Sequence, residues 1–349
     1  MHYQQLGKTG IFVSRLCLGA MTFGGSAHPF WKVIGGLRQE AVDQMVALAI
    51  DKGVNFFDTA DVYSAGESET MLGKALQSRR DDCVIATKLH NRMGPGCNQV
   101  GQSRVHIIKA LEDSLQRLGT DYIDLYQIHS FDPLTCFEET LRTFDDLIRQ
   151  GKVRYIGCSN LAAWQIMKAL GVSALNKWES FVSVQAYYSA AGRDIEREIV
   201  PLVQDQKLGL LTWSPLAGGF LSGKFTKANA PADGSRRSQF SFPPVDSERA
   251  YAIIDVLQTI ALRQGVSVAQ VALAWQLHKP YVSSVIIGAK RIEQLEDNLH
   301  AVQVKLSAEE MSAIDSASQL APEYPEWIHS MPSERLPGKT RDWSNFIIK

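Results

Sequence analysis

Asp58, Tyr63, Lys88 and His129 are the residues of this chain whose types and positions combine into chemistry. They stand at the ends of three successive apolar runs: Val54-Asn55-Phe56-Phe57-Asp58-Thr59-Ala60-Asp61-Val62-Tyr63, Val84-Ile85-Ala86-Thr87-Lys88 and Leu125-Tyr126-Gln127-Ile128-His129. A phenol at its ordinary pKa of about 10 gives up its proton reluctantly near neutrality, and a neighbouring ammonium lowers that value by favouring the phenolate. Tyr63 beside Lys88 would be such a pair. Asp58 would keep Lys88 charged and oriented, and His129 would hydrogen-bond the oxygen that receives the proton. Each residue alone has a plainer explanation: Asp58 as a strand-end turn residue, Lys88 as a surface lysine, His129 as a satisfied core histidine, Tyr63 as an aromatic plug. Together, an acid, a phenol, an ammonium and an imidazole at three consecutive run ends point to a proton-handling site.

Later run ends carry amides and an indole: Ser159-Asn160, Gln185 and Trp213-Ser214-Pro215-Leu216. Amide side chains suit hydrogen bonds to a carboxamide, and an indole suits stacking on a flat heterocycle, so these positions fit a nicotinamide ring. Ser159 and Asn160 are equally ordinary N-cap residues and Trp213 an equally ordinary core filler, so both readings stay open. Gly218-Gly219-Phe220-Leu221-Ser222-Gly223-Lys224-Phe225 comes close to the phosphate-loop pattern, but Phe225 stands where Ser or Thr would bind magnesium. That argues against a nucleoside triphosphatase and leaves a glycine-permitted loop whose amides and Lys224 approach a pyrophosphate. Gly288-Ala289-Lys290-Arg291 opens a further helix-period segment. A tight turn, two cations and a helix N-terminus suit a phosphate, as they also suit a solvated basic helix start. No G-x-G-x-x-G follows an apolar run, so a Rossmann domain is not indicated. The eight histidines lack metal-ligand spacing and no G-x-S-x-G occurs, which counts against zinc chemistry and serine hydrolysis.

These residues meet only if the runs that carry them lie side by side. Short runs rich in β-branched and aromatic residues read as buried parallel strands, and eight occur: 16–18, 54–58, 84–88, 123–128, 153–157, 181–185, 208–213 and 285–287. Between and after them the period changes to that of helices at 39–52, 68–77, 103–118, 133–149, 161–170, 193–206, 248–263 with 268–277, and 292–299. The alternation predicts an α/β chain folded as a single (β/α)8 TIM barrel, with its chemistry at the C-terminal strand ends. Residues 1–14 would form an N-terminal β-hairpin turning at Lys8-Thr9-Gly10, 15–300 the barrel, and 301–349 a C-terminal helix and tail, all in one domain. Segments 26–38, 91–101 and 216–247 are rich in Gly, Pro, Ser and charge and would be long loops around the mouth. The tail from 321, with four prolines, Trp327 and Trp343, predicts an irregular segment folded over a surface, placed to cover that mouth.

At 349 residues with 45% hydrophobic content the chain can bury a large core. A formal charge of -1 removes any bulk attraction to nucleic acid or an acidic membrane, so a small neutral or anionic ligand is the expected partner. Five cysteines, odd in number and without C-x-x-C, predict reduced thiols and a cytoplasmic protein. The N-terminus lacks the pattern of a signal peptide, and no stretch approaches the roughly 20 apolar residues of a membrane span.

In this order, the motifs resemble those of the aldo-keto reductase superfamily, in the branch of bacterial and plant enzymes and potassium-channel beta subunits. The likeness runs from Leu6 to Leu299. It rests on Phe57-Asp58-Thr59-Ala60-Asp61-Val62-Tyr63, Thr87-Lys88, Asp124 through His129, Gly157-Cys158-Ser159-Asn160, Val184-Gln185, Trp213 through Gly219, Leu221 through Lys224 and Gly288 through Asn298. The resemblance implies NADPH-dependent reduction of a small-molecule aldehyde or ketone, with NADH possible. Tyr63 would be the general acid, Lys88 and Asp58 its tuning partners, and His129 the group that orients the substrate. It implies Ser159, Asn160 and Gln185 on the carboxamide and Trp213, where the family more often has Tyr, on the nicotinamide face. Ser214, Pro215, Leu216, Gly218 and Lys224 would form the pyrophosphate loop, and Gly288, Lys290, Gln294, Asp297 and Asn298 the adenosine end. Some members have Lys-Ser where this chain has Gly288-Ala289, so a 2′-phosphate would be read by Lys290, Arg291 or backbone amides. Two rivals remain: a cofactor-sensing regulatory subunit of the channel type with slow or no turnover, and a barrel lyase using Lys88 as a Schiff-base nucleophile. Segments 26–38 and 91–101, Phe131 and the tail would set specificity, with Phe30 and Trp31 hinting at an aromatic pocket.

Overall fold

The computed structural model of the chain describes residues 1–226 and 236–329. Two short strands, β1 (Tyr3–Gln5) and β2 (Phe12–Ser14), pair antiparallel. Eight parallel strands then close into a barrel in chain order: β3 (Leu16–Gly19), β4 (Phe56–Asp58), β5 (Val84–Leu89), β6 (Ile123–Ile128), β7 (Val153–Ser159), β8 (Phe181–Tyr187), β9 (Gly209–Trp213) and β10 (Ser284–Ile287), which returns to β3. This is the (β/α)8 barrel that the alternation predicts, with each strand within two residues of its expected span. Helices run between the strands, among them Gln39–Asp51, Glu67–Leu76, Arg104–Leu118 and Phe137–Arg149. Two successive helices, Ser247–Gln264 and Val268–Leu277, separate β9 from β10. Among the described residues no single helix is long and apolar enough to cross a membrane.

The two-residue pleat sorts the core into two layers. Phe56, Val84, Ala86, Leu125 and Leu211 belong to an inner cluster that fills the barrel, whereas Phe57, Ile85, Tyr126 and Val184 join the larger cluster that packs against the helices. Each fully buried aromatic or aliphatic side chain contributes about 1.5–3 kcal/mol through its removal from water. The hairpin belongs to the inner layer as well: Leu6 and Val13 are fully buried in that cluster and cap the end where the strands begin. Gly7 makes this possible. Its φ is +58°, and a Cβ there would sit 2.6 Å from the Val182 carbonyl oxygen and 2.8 Å from the Gly209 nitrogen. Gly7→Ala is therefore expected to cost on the order of 2–4 kcal/mol, because neither backbone atom can move without opening β8 and β9. Denaturant unfolding would show it, and a midpoint like that of the parent would mean that the hairpin does not depend on the close approach at Gly7.

Segment 26–38, expected as a long loop, contains the short helix Pro29–Ile34. Pro29 opens it and the His28 side chain accepts hydrogen bonds from the Phe30 and Trp31 nitrogens, two start signals too short-ranged for a hydrophobic period to reveal. The C-terminal helix is present as Ala308–Ala317. The chain forms two compact units, Met1–Ser318 and Gln319–Lys349. The second, described to residue 329, holds the single turn Glu326–His329 where an irregular course was expected. Pro332, Pro337 and Trp343 lie outside the described residues, as do positions 227–235 of the loop after β9.

Candidate active site

The pleat that buries Phe56, Val84, Ala86 and Leu125 inside the barrel carries Asp58, Lys88 and Gln127 inward at the strand ends. Register sets them side by side: Asp58 pairs with Ala86, and Lys88 with Gln127. Lys88 is fully buried and spends its three N–H donors on three acceptors: Asp58 Oδ1 at 2.5 Å, the Thr59 carbonyl at 2.8 Å and the Tyr63 hydroxyl at 3.4 Å. Burial alone would pull its pKa down, but Asp58 and then Tyr63 outweigh that and hold it above the usual lysine value. A permanently charged ammonium is no nucleophile, which counts against the Schiff-base reading. Asp58 is in turn fixed from two other strands, accepting from Gln185 Nε2 at 2.7 Å and Gln127 Nε2 at 3.4 Å.

Tyr63 comes from a turn rather than a strand. Ser64 and Ala65 follow it with φ of 51° and 54°, a left-handed conformation that costs a non-glycine residue roughly 1–2 kcal/mol. The turn is held by Ser64 Oγ donating to the Phe23 carbonyl at 2.8 Å and Ser68 Oγ donating to the Ala20 carbonyl at 2.7 Å. Burial raises the phenol pKa, Lys88 opposes it and Asp58 adds to it, and the balance lies above the ordinary value. The ammonium acts in the expected direction, but the expected net lowering is reversed because burial is the larger effect.

His129 meets the Tyr63 ring edge-on, with centroids 5.7 Å apart. Burial first, then Lys88 and His90, push its pKa well below the ordinary value, so the imidazole is neutral at physiological pH. Asn91 Nδ2 lies 3.3 Å from His129 Nδ1, and in the tautomer where it donates there, Nε2–H is left as a donor.

Around this centre, Ser159 pairs in register with Gln185 and has a buried hydroxyl without a partner. Gln185 has its amide nitrogen on Asp58, so its oxygen is the acceptor it can offer elsewhere. Asn160, at φ 56°, donates to the His129 carbonyl at 2.9 Å and accepts from Trp213 Nε1 at 3.1 Å. Neither caps a helix, because the next one has Ala162 as its N-cap and starts at Ala163. The capping alternative is thereby set aside. Trp213 has the Tyr187 ring at 5.1 Å and the Phe242 ring stacked at 5.7 Å. Beyond it Ser214 Oγ accepts from the Gly218 nitrogen at 2.9 Å, and Ser214, Ala217, Gly218 and Gly219 all have positive φ. Pro215 passes its carbonyl to Gln276, Leu216 is half-buried and Lys224 is exposed.

At the last strand Gly288 is exposed with open space where a Cβ would be. Lys290 donates through Nζ to the Val33 carbonyl at 2.7 Å and through its backbone to Gln294 Oε1 at 3.1 Å. Asn298 donates to the Gly288 carbonyl at 3.5 Å, whereas Asp297 turns to the neighbouring helix start and accepts from Ser267 and Gln270. The set fits a nicotinamide dinucleotide: a buried unpaired hydroxyl, amides, an indole and a glycine-containing turn of positive φ. Gln127 and Asn91 escaped sequence reading, although Gln127, two positions before His129, shares its inward face by strand alternation.

A family model described as the aldo/keto reductase family matches residues 15–319. The chain belongs to the aldo/keto reductase family. It is 35% identical, over 96% of its length, to the whole of versiconal hemiacetal acetate reductase from Aspergillus parasiticus. It is 37% identical to the uncharacterized oxidoreductase YrpG of Bacillus subtilis, over 88% of this chain and 93% of that one. An Arabidopsis thaliana protein named as a probable voltage-gated potassium channel subunit beta is 37% identical over 93% of this chain and 99% of its own. As an aldo/keto reductase the protein is an oxidoreductase of small-molecule carbonyl compounds and works with a nicotinamide cofactor.

Proposed function

We propose that this aldo/keto reductase is a cytoplasmic enzyme that reduces aldehydes or ketones to alcohols with NADPH, Tyr63 protonating the carbonyl oxygen. The observation that carries the reading is the Tyr63 hydroxyl 3.4 Å from the Lys88 ammonium, itself paired with Asp58 at 2.5 Å. A bound nicotinamide supplies the hydride. Ser159, Asn160 and Gln185 would hold its carboxamide and Trp213 its ring, with Ser214, Pro215, Leu216, Gly218 and Lys224 on the pyrophosphate. Gly288, Lys290, Gln294 and Asn298 would hold the adenosine end, with Asp297, expected there, engaged instead by Ser267 and Gln270, and the cations at 290 and 291 favour the extra phosphate of NADPH. The substrate oxygen accepts from the Tyr63 hydroxyl and from His129 Nε2–H. As negative charge develops on that oxygen it becomes far more basic than a phenolate, and the Tyr63 proton moves to it. The phenolate left behind faces the Lys88 charge in a water-poor site, where that attraction is strong.

Aromatic side chains line the approach. Trp31 lies 6.0 Å from Tyr63 and 5.1 Å from Phe30, Phe30 5.3 Å from Phe240, and Phe240 5.6 Å from Phe242, so rings from the helix Pro29–Ile34 and from the segment after β9 link Tyr63 to Trp213. Such a surface favours a carbonyl carried on a flat apolar group. Loss of reduced-nicotinamide absorbance is expected to be faster with NADPH than with NADH, and faster for aromatic than for short or sugar aldehydes. Tight NADPH binding with no turnover on any carbonyl would instead support a cofactor-sensing regulatory role, and one plant relative is named as a probable voltage-gated potassium channel subunit beta.

A further inference from the structure

Gln276, at the C-terminal end of the helix Val268–Leu277, is fully buried although its side chain is a polar amide. It reaches three separate segments. Its Oε1 accepts from Thr212 Oγ1 at 2.8 Å, and its Nε2 donates to the Tyr188 carbonyl at 3.1 Å and the Pro215 carbonyl at 3.2 Å. Thr212 belongs to β9, Tyr188 directly follows β8 and Pro215 lies in the turn after Trp213. A primary amide is the one neutral side chain that offers two N–H donors and an acceptor from a single planar group, and all three are in use here.

The turn that Gln276 holds is strained. Ser214 and Ala217 are left-handed at φ 53° and 51°, and neither is a glycine. A conformation of that kind persists only when its surroundings over-determine it. The bonds from the Ala217 nitrogen to the Ser214 carbonyl, 2.8 Å, and from the Gly218 nitrogen to Ser214 Oγ, 2.9 Å, lie within the turn. They shape it without fixing it to the barrel. The Gln276–Pro215 bond supplies a tie to the scaffold, and the Tyr188 bond secures the strand end next to Tyr187, whose ring lies against Trp213.

We propose that Gln276 is a positioning residue for the cofactor: it locks Trp213 and the turn from Ser214 to Gly219 into the arrangement that receives the dinucleotide. The inference rests on the assignment of that turn to the cofactor made above. Gln276→Met keeps the volume and loses both donors; Thr212→Val removes only the bond to Oε1 and serves as the control for stability. NADPH dissociation constants, read from intrinsic fluorescence, and steady-state constants would be measured on folded protein. Gln276→Met is expected to raise the Kd and KM for NADPH about tenfold, with kcat at saturating NADPH little changed, because two buried carbonyls are left unpaired beside the site. Thr212→Val is expected to leave the NADPH Kd within about twofold. Should Gln276→Met not fold, Gln276→Leu, which is smaller and likewise has no donor for the Tyr188 and Pro215 carbonyls, carries the same expectation. A lower melting temperature with unchanged NADPH affinity, or an equal loss of affinity in Thr212→Val, overturns the proposal. A parent protein that binds neither NADPH nor NADH overturns the cofactor assignment along with it.

Discussion

Tyr63→Phe is expected to lower kcat for carbonyl reduction by about 10³-fold, within the range that a positioned general acid contributes, while NADPH affinity stays within about twofold. The substitution deletes one oxygen and keeps the ring against Trp31 and His129, so packing is preserved. Lys88 loses its longest contact and keeps Asp58 and the Thr59 carbonyl. His129 cannot take over, because an imidazole held neutral by burial and by Lys88 is a weak acid. The pH profile follows from the same two groups. Reduction needs the phenol protonated, and its pKa lies above the ordinary value, so that form persists through neutrality and is lost only as pH rises past about 10. His129 charges only well below its usual range, so it adds no break near pH 6.5. A profile of kcat/KM that is flat from about pH 6.5 to 9.5 is expected. A variant with the parental rate would sink the Tyr63 assignment, and a break near 6.5 would shift the acid to His129.

The barrel was legible because its evidence is periodic. Val84-Ile85-Ala86-Thr87-Lys88 has the density of β-branched and apolar residues that a strand buried on both faces requires, and eight such runs at regular spacing leave few alternatives. Lys88 and His129 stood out because each ends such a run with a group that burial penalises. Tyr63 is harder to place from sequence. Its aim depends on Ser64 and Ala65 adopting positive φ, and two non-glycine residues give no hint of that. The direction of its pKa also depends on the balance of burial against Lys88, which only the assembled site reveals. The helix Pro29–Ile34 and the ring contacts of Phe240 and Phe242 come from segments without a period, where local capping and long-range stacking replace pattern. Gln276 reads as one of two glutamines, with Gln270, on an otherwise apolar helix, and its purpose appears only with its three partners in view.

Lys88→Met is expected to lose both turnover and about 3–5 kcal/mol of stability, and the two losses separate in a second variant. Asp58 is 3% exposed, and without the ammonium its carboxylate would remain in the core with only the Gln185 and Gln127 amides as partners. Removing one member of a buried pair costs more than removing both, because it strands a charge that water cannot reach. Lys88→Met combined with Asp58→Asn should therefore recover most of the lost stability, since an asparagine oxygen still accepts from Gln185 and no charge is stranded. Turnover should not return. The phenolate formed when Tyr63 gives up its proton would face no cation, and the stabilisation that Lys88 supplies arises only as that charge develops. Chemical denaturation and steady-state rates on the parent, both single variants and the double variant close the cycle. Equal stability of the single and double variants would show that Asp58 is not held by Lys88. Recovered turnover in the double variant would mean that Lys88 serves the fold and not the proton transfer.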